Sequence, residues 1–251
     1  MVCAPTARRT SSDDRSGRAG LSMSVLVTRP QPGAAETACR LVALGRTPVV
    51  APVLDIVPLA ADLPPARQVQ AVLTTSANAL TALGGHCGLP LLAVGDATAA
   101  RARASGFTVV HSAGGDARAL AALTARICDP AGLPLLLAGQ QGQGRELVRA
   151  LREAGFAVVH RDVYAARPAT SLPEPARAAL CGHAVEAALF FSPATAQIFV
   201  SLASSLPPET FNPVESLAIS PQAAAALVAL PWRRIRVAAA PNQDELLGLL
   251  P

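Results

Sequence analysis

Gly155-Phe-Ala-Val-Val-His-Arg-Asp-Val-Tyr-Ala-Ala-Arg-Pro168 is the stretch whose reading decides the fold. It follows Glu146-Leu-Val-Arg-Ala-Leu-Arg-Glu-Ala154, whose apolar residues recur at helical spacing. Gly155 is placed to end that helix in the left-handed conformation that a residue without a Cβ adopts freely. Ala157 to Ala166 then reads as a strand that stops at Pro168. The same order of signals occurs near the front of the chain. Glu36-Thr-Ala-Cys-Arg-Leu-Val-Ala-Leu44 is a helix pattern, Gly45 stops it, and Pro48-Val-Val-Ala-Pro-Val-Leu-Asp-Ile-Val57 is a strand run. With Gly45 laid on Gly155, Glu36 falls on Glu146 and Leu41 on Leu151. A repeat of about 110 residues argues for two similar lobes, and the two long strand runs are where they would join.

Outward from these stretches, strand, turn and helix alternate throughout. Val25-Leu-Val-Thr, Ala71-Val-Leu-Thr, Leu91-Leu-Ala-Val, Thr108-Val-Val, Leu135-Leu-Leu, Ala187-Ala-Leu-Phe-Phe, Leu217-Ala-Ile and Arg234-Ile-Arg-Val are short strands. Helix patterns run from Asp96 to Ser105, from Asp116 to about Cys128 and from Gln243 to Leu250. This alternation is that of an α/β protein with parallel sheets.

The chain has 251 residues, enough for one large domain or two small ones, and 51% are hydrophobic, ample for a core. No apolar run is long enough to span a membrane as a helix. All 21 basic residues are arginine. Without lysine there is no lysine Schiff base and no Walker-type phosphate loop, so pyridoxal-phosphate enzymes and lysine aldolases are excluded. The net charge is +4, and Arg8, Arg9, Arg15 and Arg18 sit at the front against Asp13 and Asp14. The remainder is mildly basic, which does not point to nucleic acid but suits an anionic small ligand. Cys3, Cys39, Cys87, Cys128 and Cys181 form an odd, scattered set, as expected of reduced thiols in a cytoplasm. His86, His111, His160 and His183 are equally scattered, and no metal-ligand pair stands at helical spacing. Residues 1–22 read as a disordered N-terminal tail without the apolar core of an export signal, and Met23 reads as a natural protein start.

Several strand-to-helix junctions carry small hydroxyl residues: Thr75-Ser76, Asp96 with Thr98, Ser192-Pro-Ala-Thr195 and Ser220-Pro-Gln. In open α/β sheets ligands bind beyond the carboxyl ends of strands, where helix N-termini offer free N–H groups to anions. The plain alternative is that these side chains only cap their helices. Arg29 and Arg145 also stand at such junctions, where they could hold carboxylates. Gly139-Gln-Gln-Gly-Gln-Gly144 lies between a strand and a helix, with Asp162 about 20 residues on. Its glycine order is not that of the dinucleotide fingerprint, so a loop offering N–H groups to another anion fits better. Tyr164, the one tyrosine, lies in a strand run, either as a packed aromatic or as a phenol reaching a cleft. No Ser/His/Asp set, carboxylate pair or metal cluster can be assembled, so a reaction here would depend on holding a substrate.

From Met23 to Leu250 the chain resembles the uroporphyrinogen-III synthase family. The resemblance rests on Val25-Leu-Val-Thr-Arg-Pro, Pro52-Val-Leu, Thr74-Thr-Ser-Ala-Asn, Ala93-Val-Gly-Asp-Ala-Thr-Ala, Asp162-Val-Tyr164, Phe190-Phe-Ser-Pro and Ala218-Ile-Ser-Pro, taken in order. It implies two similar flavodoxin-like α/β lobes joined by a two-stranded β-ladder. One lobe would be discontinuous, residues 23–54 with 168–251, and the other 62–157, with 55–61 and 158–167 as joining strands. It further implies cyclisation of hydroxymethylbilane, a linear tetrapyrrole with eight carboxylates, to uroporphyrinogen III with loss of water and inversion of ring D, by a hydro-lyase of haem biosynthesis with no cofactor. Tyr164 matches the tyrosine thought to assist hydroxyl departure. Thr75, Ser76, Thr98 and Ser192 match positions that line the cleft and bind substrate carboxylates, while Gly139 and Ser220 are binding candidates from their loop and junction. At the last junction Ser220-Pro-Gln-Ala-Ala stands where the family usually has Gly-Pro-Thr-Thr-Ala, so a threonine hydroxyl is missing. The implied protein is a cytoplasmic monomer, acting without nucleic acid or membrane, with transient contact to the upstream bilane-forming synthase. Two other classes compete: a non-catalytic two-lobed small-anion-binding protein, and a nucleotide-dependent oxidoreductase.

Overall fold

A computed structural model describes residues 23–251. The tail and the alternative start at Met23 concern residues 1–22, outside the described residues. The chain runs β1 (Ser24–Val27), α1 (Gly33–Ala43), β2 (Thr47–Val50), β3 (Leu54–Pro58), β4 (Ala71–Thr74), β5 (Leu91–Ala93), α2 (Asp96–Ala104), β6 (Val110–Ser112), α3 (Ala117–Ile127), β7 (Leu135–Gln140), α4 (Arg145–Glu153) and β8 (Val158–Pro168). It continues with α5 (Glu174–Cys181), β9 (Val185–Phe190), α6 (Pro193–Ala203), β10 (Glu215–Ala218), α7 (Pro221–Leu227), β11 (Arg234–Val237) and α8 (Gln243–Leu247).

Two sheets form. One has the order β11-β10-β9-β1-β2 and is parallel throughout; the other has the order β3-β8-β7-β4-β5-β6. The first two strands of the chain therefore share a sheet with the last three, and the middle of the chain builds the other. The sequence repeat by itself suggests two consecutive halves; the strands interleave instead.

The repeat is visible in atomic detail at the two glycines that reveal it. Gly45 and Gly155 have φ of 71° and 89°. After each glycine the next N–H reaches back along the helix, Arg46 N–H to Leu41 O and Phe156 N–H to Leu151 O. This is the Schellman closure, and Leu41 and Leu151 are both fully buried beneath it.

Two departures from the sequence reading shape the site. The run from Pro48 to Val57 is not one strand: it breaks at Ala51-Pro52-Val53 into β2 and β3, which belong to different sheets. Proline supplies no N–H to a ladder, so Pro52 is a natural breaking point. β3 runs antiparallel to the second half of β8, Leu54 opposite Pro168 and Pro58 opposite Tyr164, while the first half of β8 pairs parallel with β7. The second departure is a bulge. Gly139 faces Asp162 but Gln140 faces Tyr164, so Val163 is an extra residue on β8. Strict alternation would put Tyr164 on the side of Val158. The bulge returns it to the side of Val159 and Val163, and all three belong to one core cluster with Leu80 and Leu83.

Each sheet is covered on both faces by its own apolar clusters, and its central strands are buried at every position, as parallel strands between helices must be. The helix expected after Thr75-Ser76 is a chain of 3-10 turns, Ala77–His86. The unassigned stretch after Pro168 contains α5.

Candidate active site

The carboxyl ends of β1 and β9 from one sheet and of β4, β5 and β7 from the other border a cavity of about 560 Å³. Its floor is one face of the antiparallel pair, Leu54 and Ile56 from β3 with Tyr164 and Ala166 from β8. A second cavity of about 680 Å³ shares Ile56, Tyr164, Gln31 and Arg101 with the first, and is more apolar, with Pro58, Leu59, Leu80 and Val163 in its wall. Tyr164 thus borders both spaces.

Of the residues singled out from sequence, Arg29, Thr75, Ser76, Thr98, Tyr164 and Ser192 line the first cavity. Gly139, Arg145 and Ser220 do not. Gly139 lies inside β7, and the next residue, Gln140, reaches the cavity together with Gln143. Arg145 opens α4 and borders a separate surface groove with Arg149, Arg152 and His160. Ser220 caps α7 beyond β10, which β9 separates from β1.

Ser76 accepts a hydrogen bond from Asn78 N–H at 3.3 Å, and Thr74 Oγ1 donates to the Ser76 carbonyl at 2.9 Å. Ser192 accepts from Thr195 N–H at 3.1 Å, and the two hydroxyls lie 2.6 Å apart. These serines do cap their helices, and they do so at the cavity wall. Asp96 does not cap α2, contrary to the sequence reading. Gly95 is the N-cap and no side chain closes that end. The first-turn N–H groups of a helix have no partner of their own, so the end of α2, with Ala97 and Thr98 on the cavity, is receptive to an anion.

Among the described residues, Arg29 and Arg101 are the only charged groups in the lining of either cavity. Arg29 lies with its guanidinium carbon 4.2 Å from the Phe191 ring centroid and donates to Gln243 Oε1 at 3.0 Å. Burial pushes its pKa below the ordinary arginine value; Glu36 opposes that shift and Arg101 adds to it. The group remains a cation at neutral pH. Gly33 leaves room for it: a Cβ at that position would fall 2.5 Å from the Arg29 guanidinium, which would have to move.

Tyr164 is 4% exposed, its ring packed in the core, and among the described residues its hydroxyl has no hydrogen-bond partner. The Gly139–Gly144 loop is fastened down by β8: Gln141 N–H donates to the Tyr164 carbonyl at 2.8 Å and Gly142 N–H to Asp162 Oδ2 at 3.3 Å. Asp162, which a dinucleotide site would need for a ribose, is engaged by its own loop. Among the described residues no group of histidines, cysteines and carboxylates has the arrangement of a metal site.

Arg101 escaped the sequence reading. Its signal was present: it stands four residues after Ala97 and three after Thr98, hence on the same helix face. Phe191, Gln140 and Gln143 also escaped, because their roles depend on where strands end.

The fold and the site together define a two-lobed α/β protein with a cavity lined by hydroxyls, helix ends and two arginines. Residues 35–248 match the family model described as Uroporphyrinogen-III synthase HemD, so the chain belongs to that family, whose members serve tetrapyrrole biosynthesis. A solved uroporphyrinogen-III synthetase from Helicobacter pylori 26695 superposes with a TM-score of 0.59 at 15% identity, covering 90% of this chain and 97% of that one. A mutant uroporphyrinogen III synthase from the extremely thermophilic bacterium Thermus thermophilus gives 0.46 at 20% identity, covering 90% and 96%. The first of these supports the fold. No curated protein sequence matches the chain.

Proposed function

We propose that this protein is a hydro-lyase that closes hydroxymethylbilane to uroporphyrinogen III, and that the cleft over the β3–β8 pair is where it does so. The observation that carries the reading is the convergence of Arg29, Thr75, Ser76, Thr98, Tyr164 and Ser192, from separate parts of the sequence, on one cavity. We take the lobes to be residues 23–54 with 168–251, and 62–157, and the antiparallel pair to be their join. Cytoplasmic residence fits the free Cys39, Cys87, Cys128 and Cys181. Among the described residues no helix is long and apolar enough to cross a membrane.

The reaction begins when the C–O bond of the hydroxymethyl group breaks and its electron pair leaves with the oxygen. Tyr164 donates a proton to that oxygen, so water departs and a protonated azafulvene cation remains beside the phenolate. Ring D attacks through its substituted carbon, giving a spiro intermediate. The bond that held ring D to its neighbour then breaks, leaving an azafulvene cation on that neighbour, and the free α-carbon of ring D bonds to it, so the ring is rejoined reversed. The proton lost as the ring regains aromaticity restores the phenol. The carboxylates are held by the arginines and the helix ends, and pre-positioning of this kind is worth as much as roughly 7–11 kcal/mol of a barrier. A chain without a strong acid–base pair suits such a reaction.

Incubation with hydroxymethylbilane tests the reading. The type III isomer is the expected product; type I alone would leave a two-lobed anion-binding protein.

Two predictions arise from the arginines. The KM should rise several-fold between about 0.02 and 0.5 M salt, because charges near solvent are screened within a few ångströms at the higher value. A KM independent of salt would contradict the electrostatic account. Gly33→Ala should raise KM about tenfold, with little change in melting temperature. The new Cβ displaces the end of a flexible arginine side chain, and losing one charge-assisted contact is worth that factor. Steady-state kinetics with a thermal melt measure both quantities.

A further inference from the structure

Arg101 projects from α2 of the middle segment, and its guanidinium is paired with the Glu36 carboxylate in the first turn of α1. The pair therefore links the half of the molecule built on β4–β7 to the half built on β1 and β9–β11. Among the described residues it is the only ion pair that does so; the other pairs stay within one half. Arg101 borders both cavities, whereas Glu36 borders neither. The pair sits at the rim, with the Arg101 side chain 41% and the Glu36 side chain 51% exposed.

An ion pair this exposed contributes little, because water solvates both partners well when they separate. The alternative partner for Arg101 is a carboxylate on a ligand inside the cleft. There the same guanidinium makes a charge-assisted contact with less competing water. The exchange swaps one carboxylate for another and leaves Glu36 solvated.

We propose that Arg101 is a substrate-carboxylate ligand and that Glu36 is its place-holder. Glu36 latches the two halves across the rim of the empty cleft and yields Arg101 to the incoming polyanion. This inference rests on the proposed function for the identity of the ligand, but the exchange itself requires only a polycarboxylate. Glu36 thereby keeps the cleft from presenting two unpaired arginines to smaller anions.

The test compares wild type, Glu36→Gln, Arg101→Gln, Arg101→Lys and the Glu36→Gln/Arg101→Gln double variant at fixed ionic strength. Two readouts are taken, KM for hydroxymethylbilane and equilibrium binding of uroporphyrin III, a stable octacarboxylate, by fluorescence. Glu36→Gln should tighten both by about two- to five-fold, the size of an exposed ion pair. Arg101→Gln should weaken both about tenfold or more, with Arg101→Lys between it and wild type. In the Arg101→Gln background the Glu36→Gln effect should be clearly smaller, limited to what Glu36 exerts through Arg29. Thermal melts establish that each variant is folded.

Weaker binding on Glu36→Gln would mean the pair is structural and would overturn the proposal, as would an Arg101→Gln variant that binds as wild type does. Equal Glu36→Gln effects with and without Arg101 would remove the exchange. If wild type formed no type III isomer, the reading of function would fail, while the porphyrin titrations would still decide the exchange.

Discussion

Tyr164→Phe should lower kcat about 10²-fold, leave the product as the type III isomer, and leave the melting temperature close to wild type. The substitution removes one oxygen from a ring that is 4% exposed, and among the described residues that oxygen makes no hydrogen bond whose loss would destabilise the fold. On the proposed function, what is lost is a proton donor in the wall of both cavities, and a general acid in place contributes about 10²–10⁴-fold. The low end of that range applies because the bilane sheds its hydroxyl readily even in water. On the proposed function, ring orientation is set by where the carboxylates are held, by Arg29, Arg101 and the ends of α2 and α6, and not by the phenol. Measurement of kcat, the III to I ratio and the thermal melt separates these claims. Unchanged kcat would leave Tyr164 as a packing residue, and a shift of the ratio toward type I would assign it a positioning role.

The position of Tyr164 also marks where sequence reasoning stops. That it lies in a strand was legible from the run between Gly155 and Pro168, which stands as β8 with its end at that proline. The side it faces was not. Alternation is a local rule, and the bulge at Val163 that overrides it shows only when β7 is laid beside β8. The helix ends at Ser76, Ser192 and Ser220 were legible because N-caps are local chemistry, and all three accept the expected N–H. Which of them reach the cleft depends on sheet order. β1 and β9 lie side by side in the sheet and β10 one place farther out, so Ser192 lines the cavity and Ser220 does not. Arg145 stands outside this cavity for a related reason: a junction residue can point along the sheet end or away from it, and Arg145, at the start of α4, borders a separate groove. Periodicity and capping thus gave most of the elements, though not α5, the break between β2 and β3 or the uncapped end of α2, while strand neighbours and bulges decide which residues line the cavity.

Phe190→Ala should destabilise the half built on β1 and β9–β11 by about 3–5 kcal/mol, the cost of emptying a fully buried phenylalanine site. The chain has only 6 phenylalanines and 1 tryptophan, and Phe190, Phe199, Phe211 and Trp232 gather in one place. Phe190 meets Phe199 edge-on at 5.2 Å and Trp232 at 5.8 Å, and Trp232 meets Phe211 at 5.2 Å. The surrounding residues are largely alanine, valine and leucine, which are too short to close the space a lost ring leaves. In a protein of this length each kcal/mol shifts the midpoint by about 2–4 °C, so a fall of roughly 6–20 °C is expected. The neighbouring Phe191 points the other way along the chain, toward Arg29 and the cleft. The variant assayed well below its midpoint should therefore keep the type III product and lose at most a few-fold in kcat. Phe190→Leu, which refills most of the volume, should recover more than half of the lost stability. A Phe190→Ala melt within about 2 °C of wild type would mean that the aromatic cluster does not hold this half together.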